Sequence, residues 1–165
     1  MSEAQRLVDL IPRLRRYARA LVGDRASADD LVQDTLERAW AKLHLYRRGT
    51  DLRAWLFTVM HNVHVNKVRS ARATDPLEDE MPELAQRAAQ GDALVVRDLD
   101  RAIARLPAEQ RAVLLLVTLE EMSYEQVART LGIPIGTVMS RLSRAREKLR
   151  AMMLGQAAAK LKVVK

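Results

Sequence analysis

The sequence predicts an all-α protein built as two small helical domains joined by a flexible acidic linker. Three observations carry that prediction. Apolar residues make up 48% of the 165 residues, and they recur every three or four positions rather than alternating, which is the spacing of one helical face. Glycine and proline number only 6 and 5, so the chain has few points where a helix must stop. The charge is divided along the chain: residues 1–73 carry 14 basic and 8 acidic side chains, 74–100 carry 2 and 8, 101–133 carry 4 and 4, and 134–165 carry 8 and 1. Within a net charge of +7, basic lobes flank an acidic connector, and basic lobes suit a polyanion whose affinity comes largely from released counterions.

The same composition excludes several classes. The chain has no cysteine, so it holds neither disulfides nor thiolate metal sites, which fits a reducing cytoplasm. Aromatics, at 4%, are too few for base-stacking sheet platforms. The opening MSEAQRLVDLIPRLRRYARAL is charged throughout and is no signal peptide, and no run reaches membrane-spanning length. A soluble cytoplasmic protein without membrane insertion is expected. No Gly-rich phosphate loop, nucleophile constellation or paired carboxylates occur, so neither enzymatic activity, a catalytic residue nor a cofactor is expected.

Taken in order, residues 3–22 place Leu7, Leu10, Ile11, Leu14, Tyr17, Ala18 and Leu21 on one helical face that ends at Gly23. Pro12 either kinks this helix or marks a late start. Ser27, with Asp30 three residues on, offers a cap for a second helix through Leu43, with Leu31, Val32, Leu36, Ala39, Trp40 and Leu43 as its buried side. Asp30, Gln33, Asp34 and Glu37 recur on its other side as an acidic stripe, which repels DNA and reads either as a docking face for a basic partner or as a solvated face. HLYRRGT at 44–50 breaks the pattern. Asp51 then caps a third helix running to about Arg72, with Leu52, Trp55, Leu56, Val59 and Val63 inward. Its outer face mixes Phe57, His61, His64, Val65 and Val68 with Asn62, Lys67, Arg69 and Arg72, a surface partly covered by the first helix or able to hold unpaired bases beside a phosphate backbone. His61 and His64 find no third ligand at matching spacing, so no metal is expected there.

Residues 74–91 hold two prolines and the acids Asp75, Glu78, Asp79, Glu80 and Glu83 without clear period, and read as the linker and domain boundary. Helical spacing resumes over 92–106 at Leu99, Ala102, Ile103 and Leu106. Pro107 suits the first position of a helix from Ala108 to about Glu121, apolar through Ala112, Val113, Leu115, Leu116 and Leu119. Past Arg150 the pattern fades, and from Gly155 a frayed basic tail is expected.

The stretch 122–152, MSYEQVARTLGIPIGTVMSRLSRAREKLRAM, has the strongest local grammar. Ser123 can cap the next turn while Gln126 reaches back to it, and Met122 and Val127 staple the helix start. Gly132-Ile133-Pro134 breaks the chain. Ile135, Val138, Leu142, Ala145 and Leu149 then share one face, leaving Thr137, Ser140, Ser143 and Arg144 opposite. Two helices across such a turn form a helix-turn-helix, whose second helix enters the major groove, where arginine bonds guanine and hydroxyls bond phosphates or base edges.

Four segments in this order, ADDLVQDTLERAW at 28–40, LRAWLFTVMHNV at 52–63, AIARLPAEQRAVLLL at 102–116 and SYEQVARTLGIPIGTVMSRLSRAREKL at 123–149, resemble the extracytoplasmic-function class of bacterial sigma-70 factors. The resemblance spans about residues 5–152. It implies a sigma-2-like bundle at 1–73 and a sigma-4-like helix-turn-helix domain at 92–154, followed by the basic tail 155–165. It implies core RNA polymerase and promoter DNA as partners, with an anti-sigma factor holding the protein inactive. Asp30, Gln33, Asp34 and Glu37 become candidates for the clamp helices of the largest polymerase subunit. Recognition and melting of the −10 element fall to His44, Tyr46, Arg47, Arg48, Asn62, Asn66, Lys67 and Arg69, and −35 recognition to Thr137, Ser140, Arg141, Arg144 and Arg146. The acidic linker is expected to pass through the positively charged nucleic-acid channel of the polymerase. Met139 departs from the pattern, since many relatives are basic just before the Ser-Arg pair. The alternatives are a helix-turn-helix regulator acting at an operator and a sigma-like decoy that sequesters an anti-sigma factor.

Overall fold

Where the helices start and stop is decided by a few caps and left-handed residues. The computed structural model describes residues 1–74 and 92–163, with side chains over 1–72 and 96–155, and among these residues it contains helices and no strand. Helix α1 (Glu3–Asp9) begins at Ser2, whose hydroxyl accepts from the Gln5 amide at 3.2 Å. Pro12 sits in the first turn of α2 (Ile11–Val22), where its missing N–H leaves nothing unpaired, so the expected single helix is two and the late start is correct. Gly23, at φ 75°, ends α2. Helix α3 (Arg25–Lys42) is capped by Asp24 rather than Ser27. The Asp24 carboxylate accepts from the Ser27 amide at 2.9 Å and its hydroxyl at 2.8 Å, and these bonds hold its carboxyl below the usual range. After a 3-10 turn, Leu43–Leu45, the loop leads to α4 (Leu52–Thr74), where Asp51 accepts from the Ala54 amide as expected.

Helices α2, α3 and α4 pack around Leu14, Ala18, Leu31, Ala39, Leu56 and Met60. Thr35 is buried among them because its hydroxyl donates to the Leu31 carbonyl at 2.7 Å. Two side chains change places with expectation. Phe57, read as outer face, is buried edge-on against Tyr17 at 5.1 Å between ring centroids, because α2 covers that side of α4. Trp40, read as core, is 60% exposed.

The second lobe comprises α5 (Asp92–Arg105), α6 (Ala108–Thr118), α7 (Tyr124–Leu131) and α8 (Ile135–Val163). Pro107 caps α6 instead of entering it, and α6 stops at Thr118 because Glu121 turns to φ 53°. Leu99 and Ile135, expected inward, are 41% and 40% exposed, and α8 continues as helix to Val163 where fraying was expected. The linker and its acids lie outside the described residues.

The lobes lie against each other, α2 on α5 and α6, and α4 on α7. Arg111 of α6 is the central tie. Its guanidinium donates to the carbonyls of Ile103 (3.0 Å), Ala104 (2.7 Å) and Leu106 (2.7 Å) at the end of α5, and to Leu21 (2.6 Å) at the end of α2. Helix C-termini leave carbonyls without intrahelical partners, and here one planar fork serves two of them. Arg111→Ala is expected to cost about 2–3 kcal/mol in urea unfolding, and Arg111→Lys to recover little, because a point ammonium cannot span four carbonyls.

Candidate nucleic-acid interface

The helix-turn-helix forms as its grammar requires. Ser123 and Gln126 make the reciprocal capping box, amide to hydroxyl at 3.1 Å and amide to side-chain oxygen at 2.9 Å. Met122 and Val127 are buried beneath it. Gly132 turns at φ 66°, where a side chain would be strained, and Pro134 leads into α8. Val138, Leu142 and Ala145 anchor α8 inward, which leaves Ser140, Ser143, Arg144 and Arg146 exposed. Thr137 is partly covered, and its carbonyl accepts from the Ser140 hydroxyl at 3.1 Å. Met139 is half exposed beside them. Arg141 is different, because it turns back to Glu109 of α6 at 3.4 Å.

On the first lobe, Asp30, Gln33 and Glu37 are exposed along α3, with Asp34 partly covered, and Gln33 donates to Glu37 at 3.5 Å. Asn62, Asn66 and Arg69 are exposed on α4. Lys67 joins the two sets, with its ammonium 2.6 Å from Asp30 and 2.5 Å from Asp34, and these carboxylates raise its pKa above the ordinary lysine value. It forms one wall of an open groove of about 600 Å³ between α3 and α4, lined also by Asp34, Glu37, Arg38, Val63, Asn66 and Ser70. In the preceding loop His44, Arg47 and Arg48 are exposed, Arg48 pairing with Glu3 at 3.2 Å. Tyr46 is buried instead, its ring tilted on Trp55 and its hydroxyl donating to the Thr50 carbonyl, so it shapes the loop from inside.

Two family models match the chain in tandem, one described as the Sigma2 domain of PhyR over residues 7–61 and one as Sigma-70, region 4 over residues 97–149. The ECF RNA polymerase sigma factor EcfG of Rhodopseudomonas palustris is 37% identical over 145 residues, covering 87% of this chain and 80% of that protein. The chain belongs to the ECF family of RNA polymerase sigma factors. Among solved structures, this sigma factor is similar to the sigma factor RpoE in complex with the anti-sigma factor NepR from Bartonella quintana, with a TM-score of 0.81 and 36% identity over 91% of this chain and 95% of that one. It is also similar to the PhyRSL-NepR complex from Sphingomonas sp. Fr1, at a TM-score of 0.65 and 28% identity over 92% and 88%. Among the described residues of the sigma factor, no helix is long and apolar enough to cross a membrane, and no group of three His, Asp or Glu is placed to hold a metal ion.

Sequence reasoning missed the residues between the lobes. Glu120, just past α6, is wholly buried, with Arg13 and Arg16 of α2 at 3.8 Å and Arg53 of α4 at 3.7 Å. Desolvation raises its pKa and the three guanidiniums oppose that rise. Burial, with the Glu120 charge added, also pushes the Tyr17 hydroxyl up. Arginines three apart on an amphipathic helix look like ordinary solvated residues, so only a partner 100 residues away could have marked them. His61 and His64 of α4 are partly buried, and that burial lowers both pKa values, assisted at His61 by the charge of Arg141 and at His64 by His61 and Arg111.

A depressed histidine pKa means that the folded sigma factor holds fewer protons than the unfolded chain, so the histidines' contribution is present above 6.5 and is lost as pH falls through the lowered values. Melting temperature measured from one unit above 6.5 to one unit below should therefore fall. The His61→Gln/His64→Gln protein should show a flatter dependence, and parallel curves for the two proteins would contradict this assignment.

Proposed function

We propose that this sigma factor docks on core RNA polymerase through the outer face of α3, reads the −35 element with α8, and captures and melts the −10 element with the 44–50 loop and α4. One observation carries the reading: most of the charged and polar residues of the three faces, among them Asp30, Gln33, Glu37, Arg47, Arg48, Asn62, Asn66, Arg69, Ser140, Arg144 and Arg146, stay exposed while each helix bearing them keeps an apolar side buried. Arg144 and Arg146 are guanidiniums presented outward on α8, with Ser140 and Thr137 beside them for phosphates or base edges. Asn62, Asn66 and Arg69 offer donors to strands already unstacking, which shifts the melting equilibrium without hydrolysing a nucleotide. Tyr46 acts by holding the loop that carries His44, Arg47 and Arg48. The buried-looking Trp40 of the sequence becomes part of the docking face, since it follows Glu37 by three residues on the same side of α3.

An anti-sigma factor is the proposed regulator, supported by the similarity to RpoE in its complex with NepR. The first-lobe match to the Sigma2 domain of PhyR supports a second reading, a decoy that sequesters such a factor without transcribing.

Run-off transcription with purified core polymerase on a promoter library separates the two, because a promoter-specific product requires the first reading and its absence sinks it. In the holoenzyme, Arg144→Ala should cost about 1–3 kcal/mol of promoter affinity and relax preference at a single base pair, and an unchanged preference would remove Arg144 from the reading face. Trp40→Ala should weaken core binding by about 2 kcal/mol or more while leaving the melting temperature unchanged, as an exposed aromatic anchor would. Asp34→Lys with Glu37→Lys should weaken core binding in the same assay.

A further inference from the structure

Three guanidiniums from two helices of the first lobe converge on one carboxylate of the second. Arg13 and Arg16 lie one turn apart on α2, Arg53 lies in the first turn of α4, and the Glu120 side chain between them is 0% exposed. The fit is incomplete. Neither Glu120 oxygen has a hydrogen-bond partner, since all three arginines stand farther off than a hydrogen bond. Two of them spend donors on main-chain oxygens instead, Arg16 on Leu119 at 3.3 Å and Arg53 on Glu120 at 2.5 Å. The arginines of this cluster are therefore organised for an anion that the carboxylate satisfies poorly.

We propose that Arg13, Arg16 and Arg53 form a binding site for a DNA backbone phosphate, which Glu120 occupies while the lobes are closed. The assignment rests on the promoter-binding reading above. Elements at −10 and −35 are about 25 base pairs apart, roughly 85 Å at 3.4 Å per pair. In the closed chain α4 packs against α7, the first helix of the helix-turn-helix, and Gln126 donates to Asp51 at 3.3 Å, so the two reading elements are held together and cannot straddle that distance. Opening removes Glu120 and leaves three guanidiniums at the edge of the first lobe, with Arg53 two residues past the cap of α4 and so at the end of the 44–50 loop. Arg13 and Arg16, already 51% and 57% exposed, become free to take phosphate oxygens as paired donors. A nucleic-acid backbone is favoured over an acidic protein because this place adjoins the loop and helix proposed to hold the −10 strands.

The chain alone is titrated with a random-sequence 20-base-pair duplex across a range of salt. Glu120→Ala should bind about five- to tenfold tighter than wild type, with a salt slope steeper by about 0.9 for each phosphate gained. Adding Arg13→Ala and Arg16→Ala to Glu120→Ala should return both quantities to wild type. A gain that survives in the triple variant, or no gain at all, overturns the site, as does a gain seen for polyglutamate but not for DNA. Helix content by circular dichroism must match wild type. Arg13→Ala/Arg16→Ala alone, its helix content checked in the same way, provides a second arm on the holoenzyme. It should bind promoter several-fold more weakly with a shallower salt slope, whereas a mere latch between the lobes would give tighter binding. Failure of the sigma reading itself would show separately, as loss of run-off product with the Glu120→Ala gain on random duplex intact.

Discussion

Helix ends carry carbonyls that no helical residue can satisfy, and the architecture of this sigma factor depends on where those carbonyls go. Arg111 takes the ends of α5 and α2 together, while Arg16 and Arg53 reach the carbonyls beyond α6. The lobes are thus joined by cations on negative helix ends as well as by apolar contact, and an interface of that kind is directional: it fixes which end of one lobe meets which side of the other. It is also separable, because helix-end carbonyls and arginine heads can all return to water when the contact opens.

Within each lobe the division of labour follows from amphipathicity. Val138, Leu142 and Ala145 hold α8 down while Ser140, Arg144 and Arg146 face out, and Leu31, Val32 and Ala39 do the same for α3 beneath Asp30, Gln33 and Glu37. The two faces of the first lobe are not electrically independent. Lys67 sits between two carboxylates of α3, so part of the acidic stripe is already neutralised by a residue of the neighbouring helix, and Gln33 and Glu37 are left as its more open end.

What could be read from the sequence is what local chemistry determines. The Ser123 and Gln126 box, the left-handed Gly132, the Asp51 cap and the inward faces of α6 and α8 all depend on residues within one or two turns of each other. What failed depended on distant partners. Phe57 is buried because α2 happens to cross that side of α4, and Trp40 is 60% exposed because nothing among the described residues covers the end of α3. A one-dimensional apolar pattern treats both as hydrophobic and assigns them by phase alone. Glu120 is the extreme case. In its own segment it is one acid among several after a helix, and only the closed arrangement of the lobes buries it.

That burial bears on how firmly the lobes close. A carboxylate moved out of water loses hydration that nearby cations repay only with good geometry, and here the pKa stays above the ordinary glutamate value despite three arginines, so the desolvation loss outweighs the attraction. Because the folded pKa is raised, this group favours the closed fold most below the unfolded carboxylate range, and that contribution is lost as pH rises through the raised value. The histidines of α4 act with the opposite sign, since their lowered pKa values oppose closure as pH falls below 6.5. Closure is therefore carried by Arg111, by the carbonyl contacts and by apolar packing, with the buried carboxylate contributing less as pH rises. A fold held shut by guanidiniums on main-chain carbonyls and by apolar packing, with an imperfectly paired acid at its centre, is one that a better anion can open.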